Sequence, residues 1–282
     1  MILYKVIFGA VPQKQRLDAE DAIESYISVL LHNGQAVGSY FHVIQDGELC
    51  AYVHLAGVNA LSPKYESNYS PDRLQKLISI FGHKPRWSVE DDEVPKRDVT
   101  WTSAPFLYLF TYFNDWESPL CRGDNDKRIP LYKIPGSHED REAVHFWQRS
   151  YRDLDSIWLG CGRLEIPTYR ELAEVDSELS QQGRDSCMKI EAATGVPTYY
   201  FLMRYWGRQK GEANRLCPGC GRPWRTKIPR SPKKQFCEFT FQCTRCRLVS
   251  HLPDSVNEPR NANIGEWKKK KRIGSPRLTR EG

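Results

Sequence analysis

The chain has 282 residues, with 41 Lys+Arg against 35 Asp+Glu, 40% hydrophobic residues and a formal charge of +6. This is ordinary globular usage with room for roughly two domains of about 150 residues, and it excludes wholesale disorder, a collagen-like repeat and a disulfide-dense miniprotein. No apolar run approaches the ~20 residues of a spanning helix, and the opening MILYKVIFGAVPQKQ lacks a basic leader and cleavage site, so a cytoplasmic protein with no membrane span is expected.

Residues 2–8 predict a strand, and the apolar spacing of Ala22, Ile23, Tyr26, Ile27 and Leu30 predicts a helix over 18–31. Residues 38–45 and 48–56 read as a hairpin turning at Asp46-Gly47. A second helix opens near Ser70-Pro71-Asp72, followed by extended stretches near 84–89 and 105–113. The fold class is therefore α+β, with residues 1–115 forming a β-α-β-β-like layer of ferredoxin-like character.

Residues 116–207 are expected to pack on that layer. They start with a proline-punctuated connector (119–136), followed by a long helix from Glu139 to Leu159 whose Trp147, Tyr151, Leu154 and Trp158 share one face. That stripe reads as core. Residues 168–194 predict one further long helix ending at Thr194-Gly195, and 197–206 a buried closing strand. The acidic pair Asp153 and Asp155 reads as ordinary surface. No Gly-rich phosphate loop or nucleophile elbow occurs, and no base is identifiable for Cys161 in its Gly160-Cys161-Gly162 turn. Enzymatic activity is not indicated.

The charge is divided unevenly. From Arg208 to Gly282 there are 19 Lys+Arg and 6 Asp+Glu, a net of +13, which leaves 22 against 29 and a net of −7 for residues 1–207. A basic C-terminal quarter on an acidic body points to a polyanionic or acidic partner.

That quarter holds five of the nine cysteines. Cys50, Cys121, Cys161 and Cys187 are scattered and read as small buried apolar residues. Cys217-x2-Cys220 and Cys243-x2-Cys246, separated by 22 residues, can each turn two thiolates toward one ion. Four soft ligands in a tetrahedron suit zinc, and because they close its shell the zinc would be structural. Residues 208–252 thus predict a β zinc ribbon, with insert strands near 223–228 and 236–242. Cys237 belongs in the ribbon's small core, and His251 is a weaker alternative ligand.

The basic and aromatic residues about the ribbon suggest phosphate contacts and base stacking: Arg222, Trp224, Arg225, Lys227, Lys233, Lys234, Arg245 and Arg247. For Trp224 the leading reading is packing beside the first knuckle, with stacking on a base as the alternative. Residues 253–282 read as a disordered basic tail in which Trp267, Lys268, Lys269, Lys270, Lys271 and Arg272 form a second candidate contact. The alternative is an acidic protein partner, including the body's own acidic surface.

CPGCG with Trp224, CTRCRLVSHL and GVPTYYFLMRYWG, together with SPLCRGD, IPLYKIP, WQRSYRDLD and SELSQQGRDSC, resemble a bacterial family described as zinc-ribbon-containing, nucleic-acid-binding proteins of unknown function. The resemblance covers roughly residues 100–252. It implies that Cys217, Cys220, Cys243 and Cys246 are the knuckle ligands, and it leaves any activity open.

Overall fold

The computed structural model describes residues 1–11, 13–91, 97–160, 162–226 and 239–268. In β1 (Ile2–Gly9), Val6 and Phe8 point to one face at the two-residue period of a strand. They meet the apolar stripe of α1 (Arg16–His32), where Ala19, Ala22, Ile23, Tyr26, Ile27 and Leu30 are buried. β2 (Ala36–Gln45) and β3 (Glu48–Leu55) form a hairpin. Asp46 and Gly47 at its turn have φ of 52° and 81°, the left-handed pair that matches strand twist in a two-residue turn. α2 (Ser70–Phe81) begins with Pro71 in its first turn and stops at left-handed Gly82, and β4 (Arg86–Val89) returns beside β1. The sheet order is β2-β3-β1-β4 with every neighbouring pair antiparallel, and α1 and α2 share its core.

The second sheet has the order β6-β5-β7-β9-β8, built from β5 (Leu107–Leu109), β6 (Leu120–Arg122), β7 (Thr198–Phe201), β8 (Phe241–Cys243) and β9 (Leu248–Ser250). β5, β7 and β9 run parallel, while β6 and β8 pair antiparallel at the two edges. One face packs on α3 (His138–Leu159), α4 (Glu165–Ala173) and α5 (Glu178–Thr194). The other carries Tyr108, Phe110, Tyr199 and Phe201 around Phe239.

Ser137 starts α3 by accepting from the Asp140 N–H, while the Asp140 carboxylate accepts from the Ser137 N–H, so two end donors are satisfied reciprocally. Trp147, Tyr151 and Trp158 are buried as the stripe predicts, each large side chain contributing about 2–3 kcal/mol of burial. Gly183 of α5 lies against this stripe. A Cβ there would sit 2.6 Å from the Trp147 indole nitrogen and closer still to the Tyr200 ring, so the helix approaches the sheet more closely than any side chain would permit.

Four expectations are corrected. The single helix over 168–194 is two, because Ser177 caps a fresh start at Ser180 N–H and donates its hydroxyl to Glu171 O of the previous helix. The connector 119–136 contains β6, all three residues of which are buried. Asp155 is not surface: it is 5% exposed and accepts the Phe113 N–H at 2.7 Å. Residues 253–268 are ordered, since Ala262 and Ile264 are buried and their carbonyls accept from the Arg204 guanidinium. Among the described residues, no helix is long and apolar enough to cross a membrane.

Candidate metal centre

The first knuckle forms where Leu216 and Pro223 pair in a short antiparallel bridge. The Cys217 N–H donates to Arg222 O and the Gly221 N–H to Cys217 O, and Gly221 takes φ 68°, closing the chain into a tight loop. Gly219 leaves room for the opposing pair, because a Cβ there would lie 2.9 Å from the Cys246 sulfur. The second knuckle is the turn between β8 and β9, where Cys243 is paired with Leu248 and Arg247 takes φ 51°.

These two turns bring the Sγ atoms of Cys217, Cys220, Cys243 and Cys246 within 4.8 Å of one another. Cys220 and Cys243 stand 3.7 Å apart, and the Cys246 N–H points at Cys243 Sγ at 3.4 Å. Cys217 and Cys243 are buried, and Cys220 and Cys246 half-buried. Burial pushes the Cys217 thiol up, opposed by the backbone N–H groups of Cys220 and Gly219. Burial would raise Cys220 too, but the Arg222 N–H and the neighbouring sulfurs hold it below its usual value. Amide donors aimed at sulfur favour the thiolate form, the form that ligates metal. The four cysteines can hold a metal ion. His251 is outside the cluster, stacked 5.4 Å from Phe201. Cys50, Cys121 and Cys187 are buried singly, as the sequence suggests, while Cys161 and Cys237 lie outside the described residues.

The surrounding basic and aromatic residues divide sharply. Arg222, Arg225 and Arg245 are exposed, with no acidic partner among the described residues. Trp224 is 3% exposed, stacked 5.1 Å from Phe241, and its indole N–H donates to Arg215 O, so it packs beside the knuckle and offers no face to a base. Arg247 forms a two-point pair with Glu191 of α5, at 2.6 and 2.8 Å. Trp267 lies over Gly221, where a Cβ would meet its indole nitrogen at 2.7 Å, and Lys268 is 3.9 Å from Glu174. Lys227, Lys233, Lys234, Lys269, Lys270, Lys271 and Arg272 fall outside the described residues.

One buried cluster is not marked in the sequence, where Arg215 counts only as part of the positive ring about the ribbon. Arg204, 1% exposed, pairs with Glu212 at 2.8 Å, and Arg208 pairs with Glu266. Arg215 donates to Ser250 Oγ and His251 O and stacks over Phe241. Burial and the nearby Arg204 charge pull its pKa down to about 9. Counted along the chain, these arginines are indistinguishable from surface charge. No motif marks them, because apart from the Arg208–Glu212 spacing of four the partners of Arg204 and Arg208 come from 8 to 62 residues away.

The fold and site thus define a mixed α+β protein with two sheets and a four-cysteine, metal-competent cluster. Three domains of unknown function match it in succession, DUF8589 over residues 1–91, DUF2310 over 102–203 and DUF8594 over 207–255. Two uncharacterised proteins of Haemophilus influenzae are similar. One is 34% identical over 167 residues, covering 58% of this chain and 79% of that protein. The other is 36% identical over 166 residues, covering 58% of this chain and 62% of that protein. The chain belongs to the family of the first of these. No solved structure matches it.

Proposed function

We propose that Cys217, Cys220, Cys243 and Cys246 hold a structural zinc ion, and that the basic surface beside it binds RNA or single-stranded nucleic acid. The clustering of the four sulfurs supports the metal. Zn–S bonds of ~2.3 Å put tetrahedral sulfurs about 3.8 Å apart, close to the 3.7 Å between Cys220 and Cys243. A zinc bound there supplies cross-linking and no open coordination position, so it acts by holding the two knuckles together. On this reading 208–252 is a zinc ribbon whose second hairpin shares the body's sheet. The N-terminal layer is ferredoxin-like, which its β2-β3-β1-β4 order favours.

The nucleic-acid part rests on one observation, the exposed guanidinium groups of Arg222, Arg225 and Arg245 beside the cluster, which have no acidic partner among the described residues. Phosphate contacts of this kind make binding fall steeply with salt. A titration of single-stranded RNA at two salt concentrations should show that loss. Reversing the three arginines to Glu should flatten it by about one unit of slope for each contact removed. Salt-independent binding, or an unchanged slope in the triple variant, would overturn the reading. For the metal, Cys217→Ser should release about one zinc per chain by elemental analysis, and full retention would refute the ligand set.

The second reading is a protein adaptor whose basic face docks on an acidic surface. The Arg247–Glu191 pair favours it, since part of the basic segment already lies on the acidic body. Pull-downs with and without nuclease separate the two, because a protein partner survives digestion.

A further inference from the structure

At the opposite end of β9 from the cysteines lies a groove of about 620 Å³, within the range of small-molecule sites. It opens at the carboxyl ends of all three parallel strands: 110–113 follows β5, 203–205 follows β7 and 251–254 follows β9. Crevices at the carboxyl ends of parallel strands are where open α/β sheets bind ligands. The last turn of α3 forms the remaining wall through Trp158 and Leu159.

Three features of this groove fix the sign of the charge it suits. Among the described residues seven aromatic side chains line it, Tyr112, Phe113, Trp158, Phe201 and Tyr205 included, and no described lining residue is lysine or arginine. Asp155 projects into it from α3, more than nine-tenths buried. One carboxylate oxygen takes the Phe113 N–H, and the other meets no donor or cation among the described residues. The C-terminal end of α3 adds the partial negative charge of the helix dipole. Aromatic faces, a buried unpaired carboxylate and a helix C-terminus all stabilise positive charge and repel phosphate or carboxylate ligands.

We propose that this groove is a binding site for a small organic cation, an alkylammonium or guanidinium compound, held by cation–π contact with the aromatic walls and an ion pair to Asp155. The site is independent of the cysteine cluster and of nucleic-acid binding. Burial holds the Asp155 carboxyl above its ordinary pKa, which is the strain a bound cation would relieve. His251, whose pKa burial lowers to about 4, adds no competing positive charge near neutrality.

The experiment is a calorimetric titration of the full-length, metal-replete chain with choline, methylguanidinium and 3,3-dimethyl-1-butanol, the neutral isostere of choline. At least one cation should bind roughly tenfold more tightly than the isostere. Asp155→Asn should remove that preference. Phe113→Leu, at a side chain too exposed to hold the fold, should weaken cation binding several-fold and serves if the aspartate variant fails to fold. Equal affinity for the isostere overturns the proposal, as does absence of cation binding up to on the order of 10 mM. Unchanged affinity in Phe113→Leu also overturns it. A tripeptide with a central trimethyllysine tests the source: binding tighter than choline would move the ligand from a free cation to a protein side chain and overturn the small-molecule assignment.

Discussion

Two buried histidines make the fold sensitive to acid. His145, packed against His32, and His251, stacked on Phe201, are both lowered to about 4, with burial the largest cause and neighbouring positive groups adding to it. The folded state therefore refuses protons that the unfolded chain accepts near 6.5. Between these values the unfolded state binds more protons, so stability falls as pH drops through 6.5 and the loss is complete near pH 4. The expected cost is on the order of 3 kcal/mol per histidine. Urea midpoints should decline over that window, and a His145→Asn/His251→Asn double variant should show a clearly flatter decline; an equal slope would remove these residues from the account. Asp98 adds a loss of the same sign at lower pH: burial works against its charge, but Lys133, Tyr132 OH and the Val58 N–H outweigh it and hold the carboxyl below its ordinary value. Its stabilisation is present above the unfolded pKa and fades only as pH falls further.

At the level of elements, what the sequence disclosed was whatever depends on near neighbours. Asp46-Gly47 specifies its own turn, Pro71 and Gly82 bracket α2, and the 4-3-4 aromatic spacing marks the buried face of α3. The cysteine pairs were legible for the same reason, since each knuckle is a local loop and only the meeting of the two is long-range. Features that depend on distant partners were not legible. β6 is three residues long and exists because β5 lies beside it. The Ser177 break is invisible to apolar periodicity because Val175 is buried within the interruption and keeps the pattern running. The enclosure of Arg204 by Glu212 and Ile264, and of Arg215 by Phe241, is of this kind, whereas the packing of Trp224 on Phe241 follows the leading sequence reading. The contact between α5 and the second sheet gives a direct test. Gly183→Val must displace Trp147 and Tyr200, for an expected loss of about 1–3 kcal/mol in a chemical denaturation. A neutral result would mean that the helix can back away from the sheet without penalty.

For the whole molecule, the basic quarter is an integral part of the architecture. Its β9 pairs with β7, Phe241 and Leu248 lie in the same core as Trp147 and Tyr200, and Arg247 is tied to α5. Truncation after residue 207 would strip one side of β7 and expose a row of unpaired backbone groups beside buried tyrosines. The expected outcome is an aggregating or poorly folded fragment by size exclusion and near-ultraviolet dichroism. A monomeric, cooperatively melting fragment would show that the body folds without its last strands.

The parallel placement of β9 has a consequence for the order of events during synthesis. Chains grow from the N-terminus at about 5–20 residues per second, and domains tend to fold as they emerge. The layer formed by β1 to β4 is complete by Val89 and can condense early. The second sheet cannot: β7 is made by Phe201, but its neighbour arrives with Leu248–Ser250. Over that interval the nascent protein carries a half-built sheet with an open tyrosine-rich edge, and it is the late arrival of the second cysteine pair that lets the edge be covered.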